Sequence, residues 1–164
     1  MFIGNPPWVT NSGVSSIDGT NVPIKENLKN LRGIDAITGK SNFDISEYIL
    51  LKLIERFHKE KSVFAFLCKT IVARNLLKWV WDKEISYLHS EIYPIDSKKY
   101  FNAAVDACYF IIDFTEKTST KECKVFDSIE TRNLVGTHGY YKKKIIVDIN
   151  KFISHNYFGK SEYI

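Results

Sequence analysis

The chain has 164 residues, a length that suits one domain on one core, and 45% hydrophobic content. A formal net charge of +4 permits a polyanionic partner without demanding one. Neither the three scattered cysteines (Cys68, Cys108, Cys123) nor the four histidines (His58, His89, His138, His155) show metal-ligand spacing, no stretch is long and apolar enough to span a membrane, and no signal peptide opens the sequence, so the expectation is a cytoplasmic protein with reduced thiols and no metal.

The first element is the short apolar run Met1-Phe2-Ile3, followed by Gly4-Asn5-Pro6-Pro7-Trp8. An apolar run that ends in a polar residue and two prolines reads as a strand, Phe2–Asn5, followed by a stiff loop. Neither proline donates a ladder hydrogen bond, so the strand stops at Asn5. Asn5 is thereby held just past a strand's carboxyl end, where open α/β sheets build ligand sites. The chemistry available to such a loop is specific. The lone pair of an exocyclic amine such as that of adenine is delocalised into the ring. The Asn5 amide oxygen and the Pro6 carbonyl would each accept one amine hydrogen and localise that pair, with no general base needed. Trp8 would stack on the base and hold it out of the duplex. Pro6 and Pro7 stiffen the loop, so the orientation exists before the base arrives.

Asn5-Pro6-Pro7-Trp8 resembles the catalytic tetrad of the amino-methylating DNA methyltransferases, which use S-adenosylmethionine. Tyr or Phe is commonest at the last place in that family, so Trp8 departs from the pattern while keeping the stacking surface. The tetrad also occurs in enzymes that methylate a protein glutamine amide. It therefore fixes the chemistry better than the substrate. The bland alternative is a proline turn after a strand. The family carries a Gly-rich cofactor loop upstream of the tetrad. Here Gly33, Gly39, Gly136 and Gly139 do not follow a strand and open a helix as that loop requires. The resemblance thus implies a catalytic half whose N-terminal, cofactor-binding half is missing.

From Asn11 to Lys40 the sequence is polar, with a short helix possible around Glu26 to Leu31. Lys25, Lys29, Arg32 and Lys40 make it basic, either as a flap along a nucleic-acid backbone or as an exposed loop. Ser41 to His58 reads as a helix. Ser41 and Asp44 have capping-box spacing, and Ile45, Tyr48, Ile49, Leu53 and Ile54 recur at helical intervals. Val63–Cys68 reads as a strand buried on both faces. Lys69 beyond it either meets a phosphate or solvates the strand end. Ile71 to Trp81 reads as a helix, with Thr70 as its cap. Strand and helix alternating with short joins is the pattern of a doubly wound parallel sheet.

Tyr87 to Ile95 reads as a strand interrupted by Pro94, Ser97 to Asn102 as a turn, and Ala104–Phe114 as a long strand. The two strands suggest an antiparallel hairpin. In the methyltransferase family such a hairpin ends the sheet, and an aromatic residue in its connection lines the target-base pocket. Tyr100 or Phe101 matches that place, although an aromatic under a loop fills space equally well. Strands are expected at Cys123–Ile129 and Lys144–Ile149. The resemblance covers about residues 1 to 114, as the C-terminal half of a catalytic domain. Residues 115–164 would open a following region, which in larger family members is target recognition.

The fold expected is therefore α/β. It is a partial doubly wound, Rossmann-like methyltransferase sheet, mostly parallel, with a terminal antiparallel hairpin. The function implied is methyl transfer from S-adenosylmethionine to the adenine amine of DNA in a restriction-modification system, with DNA and a restriction endonuclease as partners. The fragment alone would not turn over. The same chemistry on RNA or a protein amide, or a non-catalytic interaction fragment, remain the other readings.

Overall fold

The computed structural model describes residues 1–8, 44–118 and 120–158, the side chains of 156–158 excepted. The elements are β1 (Phe2–Gly4), α1 (Ile45–Phe57), β2 (Val63–Lys69), α2 (Thr70–Asp82), β3 (Tyr87–Ile95) and α3 (Ser97–Phe101). They continue with β4 (Ala107–Thr118), β5 (Glu122–Phe126), β6 (Leu134–Tyr141), β7 (Lys144–Ile146) and α4 (Ile149–Phe158). Among the described residues the strands form one sheet in the order β1-β2-β4-β3-β5-β6-β7. The fold is mixed α/β.

The sheet is parallel where it starts, at β1–β2, and antiparallel later. β3 and β5 are also a parallel pair. Because β4 runs against both β2 and β3, and β6 against both β5 and β7, the other five strands share one direction. Their carboxyl ends therefore open at the same end of the sheet, apart from those of β4 and β6.

Alternation explains the core. On β2, Phe64, Phe66 and Cys68 are fully buried, as are Cys108, Phe110 and Ile112 on β4. Register places them in the same rows, Phe64 opposite Ile112, Phe66 opposite Phe110 and Cys68 opposite Cys108. Leu50, Leu51 and Ile54 of α1 and Val72, Leu76 and Val80 of α2 join that cluster. Each fully buried side chain of this size is worth about 1.5–3 kcal/mol over an exposed one. The other face carries Val63, Leu67, Tyr109 and Ile111, which are partly buried, beside the small Ala65 and Ala107, which are buried. β2 is thus not buried equally on its two faces, and α1 and α2 pack on the same face.

Several boundaries differ from the sequence reading. α1 begins at Ile45, and Asp44 is the N-cap itself, accepting from the Ser46 amide at 2.9 Å. Ser41, its supposed capping partner, lies outside the described residues, as do the Asn11–Lys40 stretch and the possible helix within it. Thr70 is the first residue of α2 and not its cap. Lys69 holds the cap position and makes no capping bond with its side chain. Pro94 does not interrupt β3. It sits opposite Cys108, beyond Glu91 and Ile92, where β5 pairs, so no ladder bond is lost on that side. Ser97–Asn102 is a short helix ended by Asn102 at φ 50°, a left-handed conformation that Asn tolerates.

The β3–β4 pair is antiparallel as expected, but it is not terminal. β4 inserts between β2 and β3, and β5, β6 and β7 extend the same sheet. A division at residue 114 falls inside β4. β6 was not foreseen. The strand expected at Lys144–Ile149 stops at Ile146, and Ile149 opens α4.

Candidate active site

The tetrad follows β1 directly, at the shared carboxyl end of β1 and β2. Asn5 is exposed, Pro6 partly buried and Pro7 exposed. An Asn that far from the core is free to bond a ligand. Trp8 is partly buried and fixed on two sides. Its indole Nε1–H donates to the Leu67 carbonyl of β2 at 3.4 Å. Its ring meets Phe101 edge-on, centroids 5.9 Å apart at 73°. The loop after the first strand and the helix between β3 and β4 therefore meet across the end of the sheet. Tyr100 neighbours Phe101 at 6.4 Å, but its hydroxyl points to Glu130, donating to Oε1 at 3.3 Å. Phe101 and Tyr100 are about half exposed, at 47% and 52%. Of the two aromatic candidates, Phe101 touches Trp8.

A cleft of about 950 Å³ opens at the same end of the sheet. It lies between the start of α2, the β3–α3 turn and the segment entering β4. Lys69, Arg74, Ile95, Lys98, Val105 and Asp106 are among its walls. The turn is held by Ser97, whose hydroxyl donates to the Ala103 carbonyl at 3.0 Å and also to that of Val105. The carboxylate of Asp96 caps α3 through the Lys99 amide at 2.9 Å.

The ammonium of Lys69, at the end of β2, is engaged within the fold. Its Nζ donates to Asp44 Oδ2 at 2.8 Å, with both side chains largely buried. The Asp44 carboxylate thus does two things, capping α1 with one oxygen and holding the end of β2 with the other. Next to it, Glu47 is buried and accepts from Asn75 Nδ2 at 2.9 Å, while its second oxygen has no partner. Burial raises the Glu47 pKa, and the Asp44 charge adds to that; the Asn75 bond opposes it. Cys68 is also raised, first by its hydrogen bond with Cys108 and then by burial. Lys25, Lys29, Arg32 and Lys40 lie outside the described residues. Arg74, Glu47 and Asn75 were not singled out from the sequence, because what marks them is the approach of α2 to α1 and to the cleft.

The tetrad and the Trp8–Phe101 contact, which carry the resemblance to a methyltransferase catalytic part, lie together at one end of a mixed α/β sheet. The comparison with known proteins agrees. The chain is 45% identical over 149 residues, 91% of its length, to the type II methyltransferase M.NspV of Nostoc sp.. It spans about a third of that protein, 31% of its length. No family model matches the chain.

Proposed function

We propose that this chain carries the base-activating part of an adenine-specific DNA methyltransferase of a restriction-modification system. The observation that carries the reading is the tetrad at the end of β1, with Trp8 set against Phe101 beside a cleft. Asn5 and Pro6 accept the two hydrogens of the adenine amine. Trp8 and Phe101, with Tyr100 behind, hold the extruded base. Extrusion costs a few kcal/mol of stacking and pairing, which contacts on more than one face of the base offset.

The methyl donor is S-adenosylmethionine. The described strand–helix junction at Lys69–Thr70 has no glycine, so it does not offer the close backbone approach that a nucleotide cofactor needs. We assign the donor site to residues beyond this segment, in an N-terminal half that completes the enzyme. The described strands beyond residue 114 then belong to the same catalytic domain, because they extend its sheet. The partners are DNA and a cognate restriction endonuclease, in the cytoplasm. Among the described residues no helix is long and apolar enough to cross a membrane.

The test is Asn5→Ala in the longer enzyme, or in this chain complemented with its N-terminal half. Loss of a pre-aimed acceptor lowers methyl transfer by about 10²–10³-fold. The thermal midpoint stays in place, because Asn5 is exposed. Unchanged transfer in a folded Asn5→Ala enzyme removes the reading.

A further inference from the structure

We propose that the cleft beside the tetrad is a phosphate site, in which the Arg74 guanidinium binds a backbone phosphate of the DNA strand whose base is held at Trp8 and Phe101. The inference rests on the proposed function for the identity of the strand, and on the structure for the site.

Among the described residues of the cleft, one partly buried cation is left without a counter-charge. Lys69 is neutralised by Asp44. Lys98 is exposed and faces water. The Asp96 carboxylate is occupied in capping α3. Arg74 has no hydrogen bond and no ion pair to any described residue, and its Nε is sealed from water. Arg74 borders the cleft, and a cation without a counter-charge at a cleft wall favours an anion there. Among the described residues no carboxylate pairs with Arg74. Asp106, the other acid of the cleft wall, is exposed, and its backbone carbonyl accepts from Thr70.

The acceptor that suits the geometry is a phosphate. The planar guanidinium fork matches two phosphate oxygens at once. The start of α2, which no side chain caps, adds partial positive charge to the same wall. The volume, about 950 Å³, admits a nucleotide-sized group. Position links the cleft to the base. Trp8 is anchored at Leu67, two residues before the cleft wall at Lys69, and Phe101 belongs to the helix that supplies Ser97 and Lys98. A base gripped by that pair brings its own sugar–phosphate backbone to the cleft.

The experiment is fluorescence anisotropy of the full 164-residue chain with labelled DNA at several salt concentrations. Arg74→Gln is expected to weaken binding about tenfold, equally for different sequences. The slope of log affinity against log salt falls by about 0.9, the value for one phosphate contact on duplex DNA. Arg74→Lys keeps the charge, so the slope stays and only affinity drops. That variant carries the test if Arg74→Gln does not fold. An oligonucleotide with a neutral methylphosphonate beside the extruded base binds wild type as weakly as the normal oligonucleotide binds Arg74→Gln. An unchanged slope and affinity in folded Arg74→Gln overturns the proposal. So does inorganic phosphate that saturates Arg74 while leaving DNA binding intact, since the site would then serve free phosphate. The two readings fail separately. Asn5→Ala tests methyl transfer without touching the salt slope, and Arg74→Gln moves the slope whether or not methyl is transferred.

Discussion

Glu47 sits in the first turn of α1 with one carboxyl oxygen bonded to Asn75 and the other without a partner. Burial favours its protonated form, so the fold binds that proton more tightly than the unfolded chain does. The stabilising contribution is complete below the usual glutamate value of 4.5 and is lost as pH rises through the raised value. Glu47→Gln keeps an acceptor for Asn75 and removes the charge. It is expected to leave stability unchanged or higher at neutral pH and to flatten the decline above the usual glutamate range. Denaturant melts at a series of pH values check this; a Gln variant less stable than wild type at neutral pH would show that the ionised carboxylate is the form the fold needs. At this scale legibility was uneven for a physical reason. Asp44 caps α1 through Ser46, two residues on, so a short stretch placed it at the start of the helix. Arg74, Glu47 and Lys69 acquire their roles from partners brought in by tertiary packing. Lys69, for example, is 25 residues from Asp44, its ion-pair partner.

The elements that were legible are those whose apolar pattern is strong. β2, α2 and β3 were located to within a residue or two, β2 as a nearly continuous apolar run and α2 by apolar residues at helical spacing. β6 was missed because Leu134–Tyr141 holds two glycines and a histidine, and its alternation is weak. Gly139 is needed there, since a Cβ would lie 2.6 Å from the Ile149 side chain of α4. The turn between β6 and β7 was equally silent. Lys142 and Lys143 take φ 46° and 62°, a pair of left-handed residues that hairpins usually build from Asn and Gly. Two lysines there look like a solvated charge run. They also carry a conformational cost that glycine does not. Lys143→Gly is expected to stabilise the chain by about 0.5–1 kcal/mol, the relief of strain exceeding the added chain entropy. A lower denaturation midpoint would mean that the Lys143 side chain contributes more than its backbone costs.

At the scale of the whole molecule, the sheet was legible in its first half and not in its continuation. Buried runs announce that β1, β2 and β4 belong together. They do not announce that β5 will pair in parallel with β3, a choice made by long-range register. The β1 end has its own consequence. Among the described residues β1 pairs only with β2, and its outward side chains Met1 and Ile3 are 77% and 66% exposed. A strand edge with unpaired amides and carbonyls beside apolar side chains is a template for another strand. The 164-residue chain is therefore expected to self-associate at tens of micromolar. A lysine at such an edge opposes pairing by charge and solvation. Ile3→Lys should shift the mass seen by light scattering toward the monomer. Because Ile3 is mostly exposed, its replacement should change unfolding free energy by no more than about 0.5 kcal/mol. The two readouts separate an edge effect from a folding defect. A monomeric wild type, or a variant that loses association together with its thermal transition, would show that β1 is not the edge through which copies meet.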